Sequence, residues 1–181
     1  PKPEQLKQLS KTQAYFTVGV SLEDAWKDRL QSVNPKMLVV DTSKGVEKLP
    51  LEEHEHEHGS LDPHIWLSPK RVKLQAETIY QTLVQIDPQN QAKYQANLEG
   101  FIQEIKSLDQ DIQENLKNVK SRKFIVFHPE WGYFAKDYGL EMVSIEVEGN
   151  EPSASELADL IKSAKTEKIK VIFAQPEFLS L

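Results

Sequence analysis

Four of the five histidines in this 181-residue chain crowd into EEHEHEHGSLDPHIW at residues 52–66, and the fifth, His128, stands alone in FIVFHPEWG. Neutral imidazole is a good donor to zinc and similar divalent ions. With no cysteine in the chain, thiolate zinc sites and disulfides are excluded, and any metal site must use nitrogen and oxygen. The histidines separate by context. His54, His56 and His58 alternate with Glu55 and Glu57, with no apolar residue between Glu52 and Ser60. Flanking carboxylates raise the local cation concentration, but fixing so polar a strip in one tetrahedral geometry costs chain entropy. This spacing predicts weak, exchangeable metal contact, or a solvated loop that binds nothing tightly.

His64 follows Asp62 and Pro63 and precedes Ile65 and Trp66, just ahead of a helix start at Ser68. Its backbone is stiffened on both sides, which suits a metal ligand. By itself a histidine beside a tryptophan is more often a packed structural residue. His128 closes an apolar strand and precedes Pro129. In open α/β sheets ligands bind beyond the carboxyl ends of the strands, so this position suits a functional side chain, although a histidine capping the following turn also fits.

The elements that must carry these residues alternate between buried strands and capped helices. Residues 14–20 and 37–41 read as short strands, with a helix between them capped by Ser21. Residues 42–63 read as a surface loop. Ser68 followed by Pro69 opens a helix whose apolar face is Val72, Ala76, Ile79, Leu83 and Ile86, spaced for a 3.6-residue period. After Asp87 and Pro88 a second helix is expected over 89–119, about 45 Å long at ~1.5 Å per residue. Strands at 123–127, 141–147 and 170–174 then alternate with the WGYFAKDYG turn and helix and with a helix opened by the capping box Ser153 to Glu156. A βαβαβ order implies a parallel sheet with helices on its faces.

The expected architecture is α/β, with two lobes of parallel sheet flanked by helices, joined by one long rigid helix. The amino-terminal lobe is assigned to 1–87, with the His/Glu-rich loop at 52–60, the linking helix to 88–120 and the carboxyl-terminal lobe to 121–181. His64 and His128 then fall in opposite lobes. If those lobes face each other across a cleft, both rings can point into it, and zinc is a natural occupant.

Composition narrows the partners. A net charge of −6, without any block of consecutive lysines or arginines, argues against nucleic acid or an anionic membrane surface. No apolar run approaches the ~20 residues of a membrane span.

DPHIWLSPK at 62–70, FHPEWGYFAKDYGL at 127–140, EVEGNEPSASEL at 146–157 and VIFAQPEF at 171–178, together with PKPEQLKQL and GVSLEDAW near the start, resemble the metal-binding solute-binding proteins of bacterial zinc and manganese ABC importers. The likeness is collinear over essentially the whole chain. It implies two α/β lobes on a rigid linking helix, a buried metal between them, and delivery to a permease in the inner membrane by a monomeric receptor that is periplasmic or extracytoplasmic, either free or held by a lipid anchor. Position by position, His64 matches the ligand of the DPH motif and His128 the ligand of the other lobe. Manganese-type members typically carry glutamate at the second position, so histidine at 128 implies zinc. The acidic, His-rich loop ahead of DPH is also a feature of the zinc-type members. In the family pattern a further histidine lies upstream of PKP and a carboxylate ligand beyond FAQPEF, so the resemblance places the remaining ligands, and the rest of the second lobe, outside residues 1–181.

The expected function is therefore a non-enzymatic, high-affinity Zn2+ receptor. A manganese or iron receptor of the same family is one alternative. A zinc hydrolase is another, since two histidines and a carboxylate can leave a position open for water; but the one HExxH string, HEHEH at 54–58, falls in the polar loop rather than on a helix, and the nearest acid, Glu130, is expected at the surface. A metal buffer acting through residues 54–58 is a third.

Overall fold

The computed structural model describes residues 2–51, 61–146, 150 and 152–173. Two compact units form, one from Pro1–Glu47 with Pro69–Leu108, the other from Lys48–Ser68 with Asp109–Leu181.

In the first unit, α1 (Pro3–Leu9), with proline at its start, precedes β1 (Ala14–Thr17), α2 (Ser21–Val33) and β2 (Leu38–Asp41). The two strands pair in parallel, from Ala14 opposite Leu38 to Thr17 opposite Asp41, as the strand, helix, strand reading predicts. The start of α2 differs from expectation by one residue. Val20 rather than Ser21 occupies the cap position. Valine has no acceptor, and the carboxylate of Glu23 satisfies the approaching backbone instead, taking N–H bonds from Val18, Gly19 and Val20 at 3.0, 2.8 and 3.2 Å.

The helix α3 (Pro69–Ile86) has the expected bounds, but its most buried side chains beyond Pro69 are Gln75 and Thr82, not the apolar face. Gln75 donates to the Thr42 hydroxyl at 3.1 Å, which donates to the Thr17 carbonyl at 2.7 Å. The helix thus crosses the end of the two-stranded sheet, where strand backbone needs partners. A short 3₁₀ turn at Pro88–Asn90 separates α3 from α4 (Gln91–Leu116). At 26 residues α4 runs for about 39 Å at ~1.5 Å per residue, somewhat less than the expected 89–119. It carries the chain from the first unit into the second.

The second unit follows the predicted order with β3 (Lys123–Val126), α5 (Gly132–Tyr138), β4 (Glu141–Ser144), α6 (Ala154–Thr166) and β5 (Ile172–Phe173). The sheet order is β4-β3-β5, all parallel. The central strand supplies the core: Phe124 and Val126 are buried with Ala135 of α5, against Trp131, Leu140 and Met142. α5 stops at Gly139, which takes the left-handed conformation at φ 64°. α6 starts on the expected capping box: Ser153 N–H donates to Glu156 Oε2 at 2.7 Å and Glu156 N–H to Ser153 Oγ at 3.3 Å. Tyr138 donates to Asp109 at 2.7 Å; burial and then this bond hold its phenol well above the usual range.

The grouping of residues departs from the expected boundaries at 87 and 120, because 48–68 packs with the later half of the chain. Pro50 and Leu61 form an antiparallel bridge, Asp62 N–H donates to the Leu49 carbonyl at 2.8 Å, and the fully buried Tyr133 of α5 fastens both. Its hydroxyl accepts the Leu49 N–H at 3.0 Å and donates to the Asp62 carbonyl at 2.6 Å. His64 and His128 both fall within the second of these units.

Candidate metal centre

His128 stands two residues past the end of β3, and Glu146 two residues past the end of β4. The strands are parallel with Val126 opposite Ser144, and the ladder continues through Ile145 N–H to the Val126 carbonyl at 2.9 Å and Glu146 N–H to the Phe127 carbonyl at 3.0 Å. Equal overshoot in this register brings the two side chains together, with His128 Nδ1 and Glu146 Oε2 2.7 Å apart. The expected placement of His128 at the carboxyl end of its strand holds.

His64 leads a single 3₁₀ turn, Ile65–Leu67, whose first residue is 0% exposed. Asp62 Oδ1 accepts from the His64 backbone N–H at 2.9 Å and faces its Nδ1 at 2.7 Å. Ser68, read from sequence as a helix cap, donates its hydroxyl to Asp137 at 2.6 Å, tying the turn to α5. Trp66 sets its ring edge against His64, with centres 5.3 Å apart.

The two imidazoles face each other with ring centres 5.3 Å apart and planes at 84°. Ligation at ~2.05 Å, with the ring centre roughly 1.1 Å further along, puts two imidazoles on one tetrahedral ion about 5.2 Å apart. The observed separation of ring centres matches that value. A carboxylate can only accept, so each Nδ1 carries the proton when the ring is neutral, and each Nε2 is left with the lone pair. Metal-ligating histidines are arranged in this way, with the second nitrogen tied to a carboxylate or carbonyl. Exposure runs in the matching sense: the Asp62 and Glu146 side chains are 4% and 11% exposed, the His64 and His128 side chains 15% and 35%. In each pair the acid is the more deeply buried partner.

Among the described residues no cluster of three or more His, Cys, Asp or Glu could hold a metal ion. Among the described residues the centre thus offers two imidazole donors. His54, His56 and His58 lie outside the described residues. Glu130, expected at the surface, is half-buried in the turn after His128, its N–H donating to the His128 carbonyl at 2.9 Å. The sequence reading passed over Asp62 and Glu146 as functional residues, although an aspartate two positions before a histidine, and an acid at matching depth past a neighbouring parallel strand, were both signals that could have found them.

The family profile described as ZnuA, zinc-uptake complex component A, periplasmic, matches residues 1–180. The chain belongs to the ZnuA family. It is 36% identical to the high-affinity zinc uptake system protein ZnuA of Bacillus subtilis strain 168 over 145 residues, 74% of this chain and 46% of that protein. A crystal structure of ZnuA superposes with a TM-score of 0.88 at 44% identity, covering 96% of this chain and 67% of that one. The manganese-binding lipoprotein MntA of Halalkalibacterium halodurans is 30% identical over 169 residues, 90% of this chain and 55% of its own length. The chain spans about half the length of these two curated relatives, by 46% and 55%. The ZnuA likeness agrees with the α/β fold of parallel sheets flanked by helices, and the long helix fits it.

Proposed function

We propose that this protein is the zinc-binding receptor of an ABC importer, and that His64 and His128 are two of the ligands that hold Zn2+ for delivery to the permease. It works outside the cytoplasm, as the periplasmic description of its family supports, and it binds and hands over its cargo as a monomer without chemical turnover. The observation that carries the reading is the paired imidazoles, 5.3 Å apart, each with a carboxylate on Nδ1. Nitrogen donors favour borderline ions such as zinc over the harder manganese ion. His54, His56 and His58 act as a collecting strip of weak, exchangeable contacts, and further ligands complete the coordination.

The likeness to MntA supports a second reading, manganese as cargo. Titration of the full-length, metal-free protein with zinc in competition with manganese separates the two. One zinc held tightly against a large excess of manganese supports the zinc receptor; preferential retention of manganese overturns it.

A further inference from the structure

We propose that Asp62 is the positioning residue of this centre: its carboxylate sets the tautomer and aim of His64, and Gly132 and Tyr133 hold Asp62 in place, so that the imidazole pair is arranged before an ion arrives. The inference rests on the reading of His64 and His128 as a zinc pair.

Asp62 is 3% exposed, and a buried carboxylate is costly unless its lone pairs are engaged. Oδ1 takes both the backbone N–H and the Nδ1–H of His64, at 2.9 and 2.7 Å, which fixes the start of the 3₁₀ turn and the ring orientation together. Without such an acceptor, neutral imidazole in water prefers its proton on Nε2, the nitrogen the metal needs free. Oδ2 lies against the bare backbone of Gly132, where a Cβ would come within 3.0 Å; any side chain at 132 would push on the carboxylate.

The main chain of Asp62 is fastened to the same connection that carries His128. Tyr133, 0% exposed, donates to the Asp62 carbonyl at 2.6 Å and accepts from Leu49 at 3.0 Å. Its place at the start of α5, a few residues beyond His128, ties Leu49 and Asp62 to the β3–α5 turn. His64 is therefore positioned against the element that bears its partner. Pre-arranged donors lose less on binding than donors that must be ordered by the ion.

The test is nitrogen-15 NMR of the imidazoles in the full-length, metal-free protein, paired with zinc affinity by competition against a chromophoric chelator. His64 of the wild type is expected in the Nδ1–H tautomer. Asp62→Ala should move it to Nε2–H, leave His128 unchanged and weaken zinc about 10–100-fold. Asp62→Asn keeps an acceptor oxygen and should restore the tautomer and most of the affinity. Tyr133→Phe should weaken zinc with the tautomer kept. His64 as Nε2–H in the metal-free wild type, or an Asp62→Ala protein with unchanged affinity, overturns the proposal even if zinc binds tightly. Absence of tight zinc binding in the wild type overturns instead the receptor reading, and the tautomer of the metal-free protein still decides the role of Asp62.

Discussion

The imidazole of His128 and the carboxylate of Glu146 meet at 2.7 Å because each overshoots its strand by two residues in a parallel register that the backbone continues to observe. The contact is thus set by the register of the sheet.

Replacing Glu146 with alanine should leave β3 and β4 paired and lower zinc affinity by about 10–100-fold, since the lost acceptor frees His128 to rotate and to change tautomer. Competition titration with a chelator measures it. An affinity within twofold of wild type would show that the carboxylate has no part in holding the ring.

Much of this arrangement was legible in sequence. Alternating apolar runs and caps predict the βαβαβ order of the second unit, and the Ser153 to Glu156 box forms as read. The misread helix start at Ser21 has a local cause: Glu23 serves as acceptor for three N–H groups, and propensity alone favoured the serine. The unit boundaries were not legible, because the contact that moves 48–68 into the second unit is a tyrosine hydroxyl reaching across the sequence to Leu49 and Asp62. For the site, residue type and position were enough to find His64 and His128. Their carboxylates needed the strand register and a two-residue turn, which only the folded backbone supplies.

Zinc affinity should fall with acidification. Imidazole must be neutral to ligate, so each coordinating histidine that is protonated in acid has to lose its proton when zinc binds. The logarithm of Kd should rise as pH falls, more steeply than one unit per pH unit once both rings are protonated. An affinity flat from pH 8 to 5 would contradict ligation by the pair.

Gly139 ends α5 with φ 64°. Gly139→Ala meets no steric neighbour there, so the cost is the left-handed conformation itself, about 1–2 kcal/mol of stability. Urea denaturation should show that loss with zinc affinity of the folded protein unchanged.

Lys123, at the start of β3, pairs with Glu141 at 2.6 Å and with Glu167 after α6. Glu141 first and Glu167 second raise the lysine above its ordinary 10.5. Lys123 first and then Ser163 lower Glu167 below its ordinary 4.5. The depressed carboxyl stabilises the fold above 4.5 and loses that contribution as pH falls through its folded value; the raised lysine stabilises below 10.5 and loses its contribution as pH rises through its own. All three groups are solvent-accessible, so the effect is small and salt-screened. Lys123→Met should lower the melting temperature slightly at pH 7, with the difference shrinking as pH falls through the folded value of Glu167. A difference that persists in acid would assign it to packing.

The most direct test is calorimetric titration of the full-length, metal-free protein with zinc, comparing wild type, His64→Ala, His128→Ala and the triple variant His54→Ala, His56→Ala, His58→Ala. One tight site should appear in the wild type and in the triple variant, and disappear in each single variant. Tight binding that survives His64→Ala and His128→Ala but is lost in the triple variant would contradict the account.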